Sequence, residues 1–139
     1  MIGGMVEHDG HKALAVHLCK TGDNEAIAVR THGLSSGTIT EAIAELRLMG
    51  LGCRTGKPLL HAWASPSSAY SERDWENHRA AFEQEFGLQG FPCLEVFHLK
   101  FGDGGRTAQH VHRVYLRVDA DGRALRTSHS AVRQEKVSR

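Results

Sequence analysis

The spacing of apolar and polar residues changes several times along the chain, and each change predicts a different element. Residues 11–20, "HKALAVHLCK", have the apolar stripe of a short amphipathic helix, and residues 25–31, "EAIAVRT", alternate as a strand does. Helical spacing returns over residues 35–52, with Thr40 as the expected cap. The apolar run "LLHAWAS" at residues 59–65 then predicts a strand, which Pro66 and the following serines end.

The helix predicted over residues 71–86 has the clearest pattern in the chain. Ser71 and Asp74 have the spacing of a capping box, while Gly87 marks the C-terminal end. An apolar face is formed by Trp75, Phe82 and Phe86. We expect this face to pack against a sheet.

Two further strands are predicted after this helix, at about residues 93–100 and 110–118, with the glycine-rich segment "FGDGGRTAQ" between them. No element is predicted before residue 11. The resulting order is helix, strand, helix, strand, helix, strand, strand. This order predicts an α+β fold in which a largely antiparallel sheet is backed by helices.

Three histidines occupy these last two strands. Because side chains alternate between the faces of a strand, His110 and His112 point to the same side, and His98 can reach them from the neighbouring strand. Three imidazoles on one face would hold a metal ion and leave its remaining positions open, as in a catalytic centre. The alternative is that they are hydrogen-bonded packing residues of a half-exposed sheet.

Composition narrows the class of protein. A chain of 139 residues, 40% of them hydrophobic and 24% charged, predicts one globular domain over residues 1–139. No apolar run approaches the ~20 residues that cross a bilayer, and three separated cysteines leave an odd thiol in any disulfide scheme. We therefore expect a cytoplasmic protein without membrane contact, whose cysteines Cys19, Cys53 and Cys93 are small core residues.

The net charge of +1 excludes a basic field over the whole surface, but positive charge is concentrated towards the C-terminus. Such an excess could meet phosphates, or it could be a solvated face.

The segment from His98 through "QHVHRVYLRVDADGRAL" resembles the histidine motif of relaxases, the mobilisation endonucleases of plasmids and integrative elements. These belong to the HUH single-strand nucleases, whose motif is here His110-Val111-His112. The segments "KPLLHAWASPSSAYSERDW" and "ALAVHLCKTGDNEAIAVR" resemble further elements of the family, so the resemblance covers most of the chain. Relaxase domains tend to be longer, which indicates a small or C-terminally trimmed member.

The resemblance implies metal-dependent nicking of single-stranded DNA at a transfer origin, with accessory mobilisation proteins as possible partners. It also implies contacts to the DNA strand, for which the candidates are Arg106, Arg113, Arg117 and Arg123. Trp63 is the candidate stacking surface for bases, ahead of Trp75, which we expect in the core.

Most relaxases carry a nucleophilic tyrosine on the N-terminal helix, but this chain has His17 there. Since some relaxases are understood to use histidine, His17 is the expected nucleophile, ahead of Tyr70 and Tyr115. Glu25 is the expected carboxylate that orients a ligand imidazole.

The family implies Mg²⁺ or Mn²⁺, whereas three imidazoles suit Zn²⁺ equally well. Two other classes of function stay open. One is a DNA-binding module that retains the histidines but does not nick, which the missing tyrosine would explain. The other is a small histidine-metal hydrolase that does not act on DNA.

Overall fold

The fold is a five-stranded sheet with helices on both faces. The computed structural model describes residues 2–10, 12–20, 25–102 and 105–137, with side chains for all of these except residues 2, 101–102, 105–109 and 131. The elements in chain order are β1 (Ile2–His8), α1 (Lys12–Cys19), β2 (Glu25–His32), α2 (Ile39–Met49), β3 (Leu59–Ser65), α3 (Glu72–Phe86), β4 (Cys93–Gly102), β5 (Gly105–Leu116) and α4 (Ser130–Val137).

All neighbouring strands of the sheet are antiparallel, and their spatial order is β1-β3-β5-β4-β2. Among the described strands, β4 and β5 are the one pair of neighbours that follow each other in the chain, and the other neighbours are distant in sequence. The predicted α+β fold with a largely antiparallel sheet is confirmed.

Each sheet face has its own helices. On one face, α1 and α2 bury Leu18 and Leu46 against a strand surface that includes Leu94, Val96 and Val114. On the other face, α3 buries its predicted aromatic residues against the sheet: Trp75 contacts Phe97, and Phe82 stacks on Tyr115. The α4 helix lies beside α3, where the Arg133 guanidinium sits 4.2 Å from the centre of the Phe86 ring.

The helix ends follow from local hydrogen bonds. Ser71 and Asp74 form the predicted capping box at the start of α3, and Gly87 ends that helix in the left-handed conformation at φ 69°. For α2 the predicted cap is wrong by two residues. Thr38, rather than Thr40, is the N-cap, and its hydroxyl accepts from the backbone N–H of Glu41.

The β1 strand was not predicted, because two adjacent glycines weaken a strand pattern. Its pairing with β3 explains one of them: Gly4 lies opposite Trp63, and a Cβ atom at Gly4 would overlap the indole ring. The β5 strand also begins earlier than predicted, at Gly105, so part of the expected glycine-rich loop belongs to a strand that pairs with β4.

The cysteines differ in their exposure to solvent. Of the three cysteines expected in the core, Cys93 is buried, Cys53 is partly exposed and Cys19 is exposed, so the expectation is wrong for Cys19. Within the described ranges, no helix combines the length and apolar character needed to cross a membrane.

Candidate metal centre

The three predicted histidines come together on the sheet face that carries α1 and α2. His98 on β4 is paired directly opposite His110 on β5, and Val96 is opposite His112. The His98 and His110 rings stack at 4.5 Å between centroids, and His112 lies 5.2 Å from His98 and 5.3 Å from His110. One ligand nitrogen from each lies within 4.8 Å of the other two, which is a grouping that could hold a metal ion.

A bulge next to this site helps to direct the rings. The pairing of β4 with β5 shifts between His98 and Leu99, so that Leu99 faces Ala108 and residue 109 has no partner opposite. Bulges of this kind bend a strand and re-aim side chains, and they occur often beside functional sites.

Burial keeps the three imidazoles neutral near pH 7. Loss of hydration, followed by the neighbouring histidines, lowers the pKa of His112 to about 3. The pKa values of His98 and His110 are also lowered, chiefly by burial. A neutral imidazole has a free lone pair, which is the form that binds a metal.

The donor set fits a divalent ion. Nε2 of His98 is buried and has no hydrogen-bond partner among the described residues. An unpaired buried nitrogen normally costs free energy, and a metal ligand role would explain it. Three neutral nitrogens suit Zn²⁺, and they are also compatible with the manganese or magnesium that the sequence resemblance implies.

A fourth histidine, which was not predicted, belongs to the same cluster. His61 on β3 is 6% exposed, and its Nε2 lies 2.9 Å from Nδ1 of His112. The two rings stack at 5.2 Å, and burial lowers the pKa of His61 to about 4. Trp63, the predicted stacking surface, packs 5.4 Å from His61 and is half-buried.

The expected nucleophile reaches this cluster. His17 lies in the last turn of α1 and is exposed, with its ring centroid 5.6 Å from that of His112 and 6.1 Å from that of His61. The next residue, Leu18, makes a backbone hydrogen bond with His98 that raises the pKa of that imidazole against the larger effect of burial. The end of α1 is therefore held directly against the triad.

Glu25, the expected orienting carboxylate, begins the edge strand β2. Two residues later Ile27 pairs with His98, so alternation puts Glu25 on the histidine face. Its negative charge raises the pKa values of His98 and His110, opposing the stronger effect of burial. Glu25 is thus close enough to influence two members of the triad electrostatically.

Both tyrosines lie on the opposite face of the sheet. Tyr115 is fully buried and donates to the Glu83 carboxylate over 3.0 Å. Tyr70 packs 4.9 Å from Trp75 of α3. Neither is beside the histidine cluster. Helix α3 packs on this same face, away from the histidines, whereas α1 and α2 cover part of the histidine face.

Two of the four arginines predicted to contact DNA are buried, and the prediction is corrected for them. Arg113 is 2% exposed and donates to Glu95, to His78 and to the Trp75 carbonyl. Arg117 is 5% exposed, donates to the carbonyls of Lys57 and Leu125, and pairs with Glu7. Guanidinium groups satisfied in this way support the fold and cannot meet a phosphate.

Of the other two arginines, Arg123 lies away from the triad. Arg123 is exposed, but it lies beyond the end of β5 that is farther from His110. The six residue steps from His110 to Leu116 correspond to about 20 Å of strand. The side chain of Arg106 is outside the described residues.

Comparison with known proteins assigns the family. The family model "Relaxase: MobA/VirD2-like, nuclease domain" matches residues 17–139, which include α1 from His17 onward and every later element. No curated protein and no solved structure matches the chain. The match covers most of the chain and all of the histidine cluster. The protein therefore belongs to the MobA/VirD2-like relaxase family, of which it contains the nuclease domain.

Proposed function

We propose that the protein is a metal-dependent endonuclease that nicks single-stranded DNA at the transfer origin of a plasmid or other mobile element. The observation that carries this proposal is the convergence of three neutral imidazoles, with an exposed histidine directly beside them. Family membership supports DNA nicking as the general activity. Accessory mobilisation proteins are the expected partners at the origin.

In this proposal His98, His110 and His112 hold one divalent ion, Mg²⁺ or Mn²⁺ by family and Zn²⁺ by donor set. Such an ion would supply Lewis-acid charge to a non-bridging oxygen of the scissile phosphate. Glu25 offsets part of the positive charge of the centre and helps to fix the rings of His98 and His110. The Leu18 backbone also hydrogen-bonds with His98.

His17 is the proposed nucleophile. A lone pair on one imidazole nitrogen attacks phosphorus, a phosphorus–nitrogen bond forms, and the bond from phosphorus to the 3′ oxygen breaks. The 3′ oxygen leaves as a hydroxyl after taking a proton, while the imidazole releases its own N–H proton to water. The 5′ phosphate of the downstream DNA stays on His17. The positions of Tyr70 and Tyr115 on the opposite face of the sheet support histidine over tyrosine in this role.

Cations other than the buried arginines would guide the DNA strand. Lys20 follows α1 three residues after His17, and Lys100 stands two residues after His98 on β4. Both are exposed. Trp63 offers a partly exposed indole beside His61 on which a base could stack.

The proposal can be tested with a pool of random-sequence single-stranded DNA labelled at the 3′ end. After incubation with Mn²⁺, a denaturing gel should show labelled DNA attached to the protein, and a chelator should prevent its formation. His17→Ala should abolish the adduct while keeping Mn²⁺ affinity, because His17 is exposed and is not one of the three ligands. Tyr70→Phe is the matched control and should behave as the wild type.

The chemistry of the adduct identifies the nucleophile independently. A phosphorus–nitrogen linkage is labile in acid, whereas a phosphotyrosine linkage survives mild acid. An adduct that persists in His17→Ala and disappears in Tyr70→Phe would overturn the assignment. If the wild-type protein binds DNA but forms no adduct with Mg²⁺, Mn²⁺ or Zn²⁺, a DNA-binding module without nicking activity is the better account.

A further inference from the structure

His61 belongs to none of the roles described so far, although it is buried within the histidine cluster. The hydrogen bond between its Nε2 and Nδ1 of His112, at 2.9 Å, is a side-chain contact of a candidate ligand with a neighbouring strand. Both rings are constrained: their planes are 28° apart, and the Trp63 ring lies 5.4 Å from that of His61.

We propose that His61 is a positioning residue that fixes the orientation and tautomer of His112 for metal binding. This inference rests on the proposed metal site. With Nδ1 of His112 directed at His61, the nitrogen left for an ion is Nε2. A nitrogen that binds a metal needs its lone pair, so the ring proton of His112 must be on Nδ1 and be donated to His61. His61 then accepts at Nε2 and carries its own proton on Nδ1.

The second imidazole of the triad has a comparable support. His98 hydrogen-bonds with the backbone of Leu18, and its Nε2 stays without a partner among the described side chains. Each of these two ligands therefore has one nitrogen engaged by the protein and the other available. His61 thus engages one nitrogen of His112 by a hydrogen bond, as the Leu18 backbone does for His98.

The choice of an imidazole at position 61 also affects the charge of the proposed metal centre. Metal-bound histidines usually donate to a carboxylate, a carbonyl or water. A carboxylate would offset part of the charge of a bound ion, whereas a neutral imidazole does not. Because His61 accepts a proton at Nε2 in this arrangement it is a neutral imidazole, so an ion at this site would retain more positive charge towards a phosphate.

The test measures binding of Mn²⁺ and Co²⁺ without DNA, by calorimetry and by the visible absorption of the Co²⁺ complex. His61→Leu has a similar volume but no acceptor, so Kd should rise by about 10- to 100-fold and the Co²⁺ spectrum should change. His61→Gln has an amide oxygen that can accept from Nδ1 of His112, and it should restore Kd to within about threefold of the wild type.

The matched control is His32→Leu, which removes an imidazole that is hydrogen-bonded to Glu95 at 2.7 Å on the opposite sheet face. It should leave metal binding unchanged. If His61→Leu does not fold by circular dichroism, the comparison is made between His61→Gln and His61→Asn, whose shorter amide cannot reach His112. Asn should then bind metal more weakly than Gln.

Two results overturn the inference while leaving the proposed nuclease function intact. One is a His61→Leu protein with wild-type Kd and spectrum. The other is equal weakening in His61→Leu and His61→Gln, which would point to packing rather than to the hydrogen bond. A wild-type protein that binds neither metal would overturn both the inference and the metal-dependent function.

Discussion

His78 is a buried histidine whose partner is a cation, and this pairing makes the stability of the protein depend on pH. Its Nδ1 accepts from Arg113 over 2.8 Å, and burial, followed by the charge of Arg113, lowers the pKa of His78 to about 4. In an unfolded chain the same imidazole titrates near ~6.5. As the pH falls the unfolded state takes up the proton first, so stability that is present above about pH 6.5 is lost between that pH and about 4.

We expect His78→Gln to flatten this dependence. Between pH 4 and 6.5, the slope of the free energy of unfolding against pH should fall by up to about 1.4 kcal/mol per pH unit, the value for one proton. Urea denaturation at several pH values, with a chelator present, measures it. Asn77→Ala changes an exposed neighbour on α3 and should keep the wild-type slope. An unchanged slope in His78→Gln would mean that another group carries the dependence.

At the scale of single residues, alternation along β4 and β5 was sufficient to predict the triad. The same rule decides the face on which Arg113 lies. Because His110 and His112 face one side, Arg113 must face the other, under α3, as the structure shows. His61 could be placed on a strand from the sequence, but its contact with His112 depends on β3 lying beside β5, and these strands are far apart in the chain.

At the scale of elements, β1 depends on a glycine. Gly4 leaves the space that the Trp63 indole occupies, so Gly4→Ala must displace the indole or loosen β1. We expect a loss of about 1–3 kcal/mol in the free energy of unfolding, as for other overpacked sites. Denaturation followed by tryptophan fluorescence measures it. Gly56→Ala, where a Cβ atom meets nothing within 4 Å, should change stability by less than about 0.5 kcal/mol.

A Gly4→Ala protein as stable as the wild type would show that Trp63 moves aside without cost.

The contrast between α3 and β1 explains which elements the sequence could predict. The α3 helix has a capping box, an apolar face and a terminal glycine that all agree, and its predicted bounds were correct to within one residue. The β1 strand is specified by packing against a distant residue, Trp63, and no local pattern reveals that contact.

At the scale of the whole molecule, only one of the two sheet faces is proposed to bind DNA. The proposed DNA path lies on the histidine face, near Lys20 and Lys100, whereas Arg123 is at the far end of the sheet. Replacing both lysines with alanine should weaken binding to a labelled dT oligonucleotide and reduce the dependence of log K on log salt by about 0.7 for each lost phosphate contact.

Fluorescence anisotropy at several salt concentrations measures both quantities. Arg123→Ala is the control, because it also removes one positive charge from an exposed site. It should leave the salt dependence unaltered. The reverse result, a loss of affinity with Arg123→Ala and none with the double lysine variant, would move the DNA path to the other end of the sheet.

The buried pair of Glu95 and Arg113 has a consequence for the opposite face. These residues are cross-strand partners on β4 and β5, are 3% and 2% exposed, and meet at 2.8 Å. A slip of one residue between the strands would separate the two charges, and an unpaired buried charge costs about 3–5 kcal/mol. The same slip would misalign His98 with His110. The ion pair therefore excludes the wrong register, and it thereby maintains the pairing of His98 with His110 at the proposed metal site on the opposite face of the sheet.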